Sequence, residues 1–116
     1  MDPIYDRRGQ VVAWLSGQNI HHRNGAHVAV LNGQNVYGHS GQHLGVLTNA
    51  FFRYHNGDAV AFMGGANGGP LCPFPTLAPL PPLPLLAPLP ALPSLPPLPG
   101  LPSLRWGTHW QALIGA

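Results

Sequence analysis

The side chains able to do chemistry are few. Seven histidines, His21, His22, His27, His39, His43, His55 and His109, stand beside three carboxylates, Asp2, Asp6 and Asp58, and one thiol, Cys72; lysine and glutamate are absent. General acid–base work and nucleophilic catalysis need a base paired with an acid or nucleophile at fixed spacing. No GxSxG, HExxH, phosphate-binding loop or paired-cysteine spacing occurs. The residues therefore predict no enzymatic activity and no cofactor. The glycine-rich run at residues 64–70 has no following helix or lysine, so it reads as a hinge rather than a phosphate cradle. Metal ligation is the one remaining chemistry. A hairpin register built on two-residue turns places His22 opposite His27, with Cβ atoms about 5 Å apart, close enough to share zinc, copper or nickel. Without cysteine or carboxylate partners, the favoured reading is semi-polar strand residues near turns, with no metal. Cys72, beside Pro73, reads as an unpaired exposed thiol.

Five arginines against three aspartates give a net charge of +2, too sparse for a stripe that could neutralise phosphates. No nucleic-acid partner is expected. A single cysteine cannot form an internal disulfide framework, and the opening Met1-Asp2-Pro3-Ile4 lacks the basic-then-apolar pattern of a secretory signal, so the expected location is the cytoplasm. Proline interrupts every long apolar run, so no transmembrane segment is expected, while the membrane surface stays open as a partner.

The elements that carry these residues are set by a repeat. Gly9, Gly25, Gly41 and Gly57 recur at a spacing of sixteen. Each is preceded by Arg8, Asn24, Ser40 or Asn56, and each dipeptide reads as the turn of a β-hairpin, where positive φ is needed. Ile4, Ile20, Val36 and Phe52 stand five residues before the glycines; Val12, Val28, Leu44 and Val60 stand three after. These are strand formers. Four after each glycine the residue is tiny: Ala13, Ala29, Gly45, Ala61.

Cross-strand pairing puts each tiny residue opposite Ile4, Ile20, Val36 or Phe52, and alternation adds Leu15, Leu31, Leu47 and Met63 to that face. Four hairpins converging on an axis would demand small side chains there. The expected fold is thus all-β, four tandem hairpins in a pseudo-fourfold arrangement. The other face is predicted to carry Val12, Val28, Leu44 and Val60 across from Tyr5, His21, Tyr37 and Arg53, followed by Trp14, Val30, Val46 and Phe62. An apolar face of this extent needs a cover.

The pattern of aromatic or His, polar residues, Gly, a variable pair, Val-Ala and an apolar pair, seen in residues 5–15 and its three copies, resembles the 4-fold beta flower domain family. Arg105-Trp106 and Trp110 look like that family's closing Trp-rich segment. The resemblance implies four short hairpin repeats, a Pro-rich linker and a Trp-containing C-terminus, and implies little about activity.

Beyond residues 67–70 a second order begins. From 71 to 104 every third residue is Leu or Phe, and thirteen prolines lie between them. Proline favours polyproline II, whose three residues per turn align all twelve apolar side chains along one edge of a rod about 105 Å long at ~3.1 Å per residue. In the tail, Trp106, Trp110, Leu113 and Ile114 have helical spacing, with Ser103 or Thr108 as N-caps. The organisation read from sequence is a hairpin domain at 1–66, a hinge at 67–70, a Pro/Leu segment at 71–104 and a docking tail at 105–116. The residues expected to interact are Trp14, Val30, Val46, Phe62, Leu77, Leu80, Leu83, Leu86, Leu89, Leu92, Leu95, Leu98, Trp106 and Trp110. The function this favours is a non-enzymatic assembly module, a homo-oligomer or part of a larger protein assembly. The alternatives are a histidine metal-binding protein and a polyproline ligand of a peptide-recognition domain.

Overall fold

The computed structural model describes residues 1–74, 81, 96, 100–107 and 109–114. Eight antiparallel strands follow in chain order: β1 (Asp2–Tyr5), β2 (Val11–Ser16), β3 (Asn19–His22), β4 (His27–Asn32), β5 (Asn35–Tyr37), β6 (His43–Thr48), β7 (Phe51–Arg53) and β8 (Ala59–Phe62). Each pairs with its sequence neighbours, and β8 returns to β1 to close a barrel. The closing pair, Tyr5 with Phe62, is the repeat equivalent of Trp14 with His21, Val30 with Tyr37 and Val46 with Arg53. One hairpin alone is marginal in water. Closure joins four of them and leaves no free edge.

The tiny residues sit where the repeat predicts. Ile4 pairs with Ala13, Ile20 with Ala29, Val36 with Gly45 and Phe52 with Ala61, and all but Gly45 are fully buried hydrophobics of the core. An eight-stranded barrel is only wide enough for side chains to fill. Four large and four small inward residues form the middle of this one, with Leu15, Leu31, Leu47 and Met63 packed against them.

The turns differ from the two-residue expectation, with consequences for the register. Gly9 N–H donates to Asp6 O and Asp6 N–H to Gln10 O, so the loop has three residues, ending in Gly9 at φ 81°. Tyr5 consequently pairs with Val11, not Val12. A bulge then inserts Val12 and restores the Ile4–Ala13 pairing; the same irregularity occurs in the other three hairpins. Val12, Val28, Leu44 and Val60 are therefore not on the outer face. They pack with the interior cluster. By the same shift His27 pairs with His21, which removes the predicted His22–His27 pair.

One short helix, α1 (Trp110–Ile114), contacts β6 and β8. Trp110 and Leu113 are buried in the core cluster, and Trp110 meets Phe52 edge-on at 5.2 Å. Trp106 is not part of this helix. It forms a parallel bridge to Ala59, with Ala59 N–H bonded to Arg105 O and Gly107 N–H to Ala59 O. Ser103 is no N-cap of α1 either: it lies seven residues before Trp110, and its hydroxyl donates to Asp58 and accepts from Arg105 N–H, while Thr108 lies outside the described residues. No helix among the described residues is long and apolar enough to cross a membrane.

Candidate functional site

Three features on the barrel's exterior hold the side chains singled out by sequence. The first is an apolar seam. Tyr5, Val11, Trp14, Phe51, Ala59 and Phe62 form one buried cluster, with Tyr5 stacked on Phe62 at 5.3 Å. Its cover comes from the chain itself: Ala66, Cys72 and Trp106 pack against it. Trp14 and Phe62 are thus spent within the fold, as are Trp110 and, half-buried, Trp106. Val30 and Val46, their repeat equivalents, are half-buried on the outside. Cys72 is half-buried too, not exposed, and burial raises its thiol pKa. The predicted interaction residues Leu77, Leu80, Leu83, Leu86, Leu89, Leu92, Leu95 and Leu98 lie outside the described residues.

The second feature is a polar latch on the fourth hairpin. Arg53, buried, donates to the carbonyls of Gly57 (2.6 Å), Ser103 (2.9 Å) and Gly68 (3.2 Å), and its guanidinium lies 5.3 Å from the Phe51 ring. It ties both sides of the Pro/Leu segment to the barrel. Asp58 accepts from Ser103 Oγ at 2.7 Å and from Arg105 Nε at 3.2 Å. The Ser103 bond, and after it the Arg105 bond and the charges of Arg105 and Arg53, hold Asp58 below the usual carboxylate range against the opposing effect of burial. The sequence signal was there: Arg53 stands where the other repeats have Tyr5, His21 and Tyr37, and Asp58 where they have Gln10, Ala26 and Gln42.

The third feature is a pair of histidine units. His27 Nε2 lies 3.0 Å from Asn19 Oδ1 and its Nδ1 lies 2.9 Å from His39 Nε2. One repeat on, His43 Nε2 lies 2.9 Å from Asn35 Oδ1 and its Nδ1 lies 2.9 Å from His55 Nε2. A carbonyl oxygen only accepts, so Nε2 of His27 and His43 carries the proton. In the neutral rings Nδ1 is then the acceptor, and His39 and His55 donate through Nε2. Burial first, then the neighbouring His39 and His21 rings, lower the pKa of His27; burial and His55 do the same to His43. His21 donates from Nδ1 to Gly25 O at 3.1 Å, and His22 Nδ1 is buried without a hydrogen-bond partner among the described residues. No three histidine, cysteine or carboxylate groups among the described residues converge to hold a metal.

The four-hairpin closed barrel with its Trp-bearing tail accounts for the comparison with known families. The model of the 4-fold beta flower protein family matches residues 2–114. The chain belongs to this family. The match runs past the repeats through the Pro/Leu segment to the end of α1, in keeping with a tail that completes the beta flower core. No curated protein and no solved structure matches the chain.

Proposed function

We propose that this beta flower protein is a non-enzymatic structural module whose barrel holds out an apolar Pro/Leu surface for self-association. One observation carries the reading. The described members of the period-three stripe, Leu71, Phe74, Leu101 and Leu104, are 95%, 98%, 89% and 76% exposed. Their backbone is nevertheless held against the barrel. Gly100 N–H bonds to His55 O and Ser103 N–H to Gly57 O, while the Phe74 carbonyl passes beside Gly9. The described tail thus docks through its backbone, the two tryptophans and Leu113, and turns Leu71, Phe74, Leu101 and Leu104 outward. Each such side chain contributes roughly 1.5–3 kcal/mol when buried, so four left in water favour a partner surface that covers them. A barrel without a free edge cannot associate by strand addition, so these side chains are its means of assembly.

The test changes only exposed positions. Deleting the tail would uncover the core that Trp110 and Leu113 complete, so the informative variant is Leu71→Ser, Phe74→Ser, Leu101→Ser and Leu104→Ser together. Sedimentation velocity should show the intact chain as an oligomer and the variant as a smaller species with an unchanged circular dichroism spectrum. An assembly state that ignores the four substitutions overturns the reading.

A further inference from the structure

The two histidine units have a use that a shared hydrogen bond does not exhaust. Asn19 and Asn35 accept the Nε2 proton of His27 and His43 at 3.0 and 2.9 Å, which fixes both rings with the Nδ1 lone pair turned toward a second imidazole. Holding the far nitrogen by an oxygen acceptor is how proteins orient and strengthen histidine ligands to metals. In each unit the facing nitrogens are 2.9 Å apart. Two nitrogens each about 2.0–2.1 Å from one ion lie ~2.9 Å apart at a right angle and ~3.4 Å apart at the tetrahedral angle. The hydrogen bond thus already holds the two nitrogens at a separation that one ion can span.

We propose that His27 with His39, and His43 with His55, form two equivalent clamps for a divalent transition ion of tetragonal preference, copper(II) or nickel(II). The ring planes in each pair lie within 7° and 13° of parallel, with the hydrogen-bonded nitrogens facing. Binding therefore requires His39 and His55 to turn so that both lone pairs meet the ion, and both are exposed in hairpin turns. Their Nε2 proton moves to the solvent-facing Nδ1, so the neutral pair changes tautomer without a change in proton count. Water completes the coordination at this open surface. The two clamps arise because Asn19, His27 and His39 recur as Asn35, His43 and His55 at the sixteen-residue spacing. The outer repeats break the set, with Pro3 and Val11 at one end and Phe51 and Ala59 at the other.

Isothermal titration calorimetry of the full chain without a histidine tag, with nickel(II) and with copper(II), should count two sites. His39→Ala and His55→Ala should each leave one site, and the double variant none. Asn19→Ala should keep its site with affinity lowered about ten-fold or more, and copper(II) electron paramagnetic resonance of the intact chain should show coupling to two imidazole nitrogens. Absence of binding, both sites surviving in the double variant, or both lost in one single variant would each overturn the assignment.

Discussion

Gly45 is the one tiny residue of the inner ring that lacks a methyl, and restoring it should destabilise the protein. Ala13, Ala29 and Ala61 occupy the equivalent positions without exposure to solvent. At Gly45 a Cβ would overlap the Arg53 carbonyl oxygen and approach Leu113 Cδ1 to 3.1 Å. The first contact is with backbone, so a side-chain rotation cannot relieve it; β6 and β7 must part, and Leu113 must give way as well. Overpacking of a core costs about 1–3 kcal/mol, and stiffening of the unfolded chain by the new methyl returns about 0.4–1 kcal/mol. Gly45→Ala should therefore lose about 1–2 kcal/mol in urea unfolding followed by tryptophan fluorescence. In a double-mutant cycle with Leu113→Ala, the coupling should account only for the part of the cost owed to the helix, leaving the carbonyl contact in place. A Gly45→Ala variant as stable as the parent would mean that the Arg53 carbonyl does not crowd Gly45 across β6 and β7.

Other consequences follow from single contacts. Ala29→Leu, inside the barrel opposite Ile20, should cost about 2 kcal/mol or more by overpacking, read by the same unfolding assay. Leu113→Ala alone should cost about 2–5 kcal/mol and lower the thermal midpoint, because its side chain completes the barrel core. Asn49 and Ala50 both have positive φ, 51° and 65°; Ala50→Gly should raise the thermal midpoint, since a left-handed conformation costs a non-glycine residue about 1–2 kcal/mol. Asp58 has its pKa lowered from 3.8 in the fold, so its contribution to stability is present above that value and is lost as pH falls through the folded one. Ser103→Ala removes the largest cause, and an acid titration followed by tryptophan fluorescence should show tail release at higher pH in that variant than in the parent.

The hairpins, the inner ring and its partners were legible because a sixteen-residue repeat imposes one environment four times, and side-chain size at Ala13, Ala29, Gly45 and Ala61 reports that environment. The faces near the turns were not. A three-residue turn displaces the strands by one, and the bulge at Val12 restores the register only beyond Tyr5. The pairing of Ile4 with Ala13 is the same with or without both irregularities, whereas those of Val12 and His22 are not. The histidine units were hidden for the same reason: a register with His22 against His27 conceals the contacts of His27 with His39 and Asn19. The helix that plugs the barrel was half visible. Its apolar spacing held for Trp110, Leu113 and Ile114, but Trp106 was claimed by a backbone bridge to Ala59 that no periodicity records. Fourth-repeat departures at Arg53 and Asp58 marked where the tail attaches.

The most direct measurement is the native mass of the unaltered chain over a dilution series. The protomer has a mass of 12.3 kDa. If outward-facing Leu71, Phe74, Leu101 and Leu104 serve assembly, the mass should be an integer multiple of that value and fall toward it on dilution. A single species at the protomer mass across the whole series, with no partner-free association even at high concentration, would contradict self-association as this barrel's role.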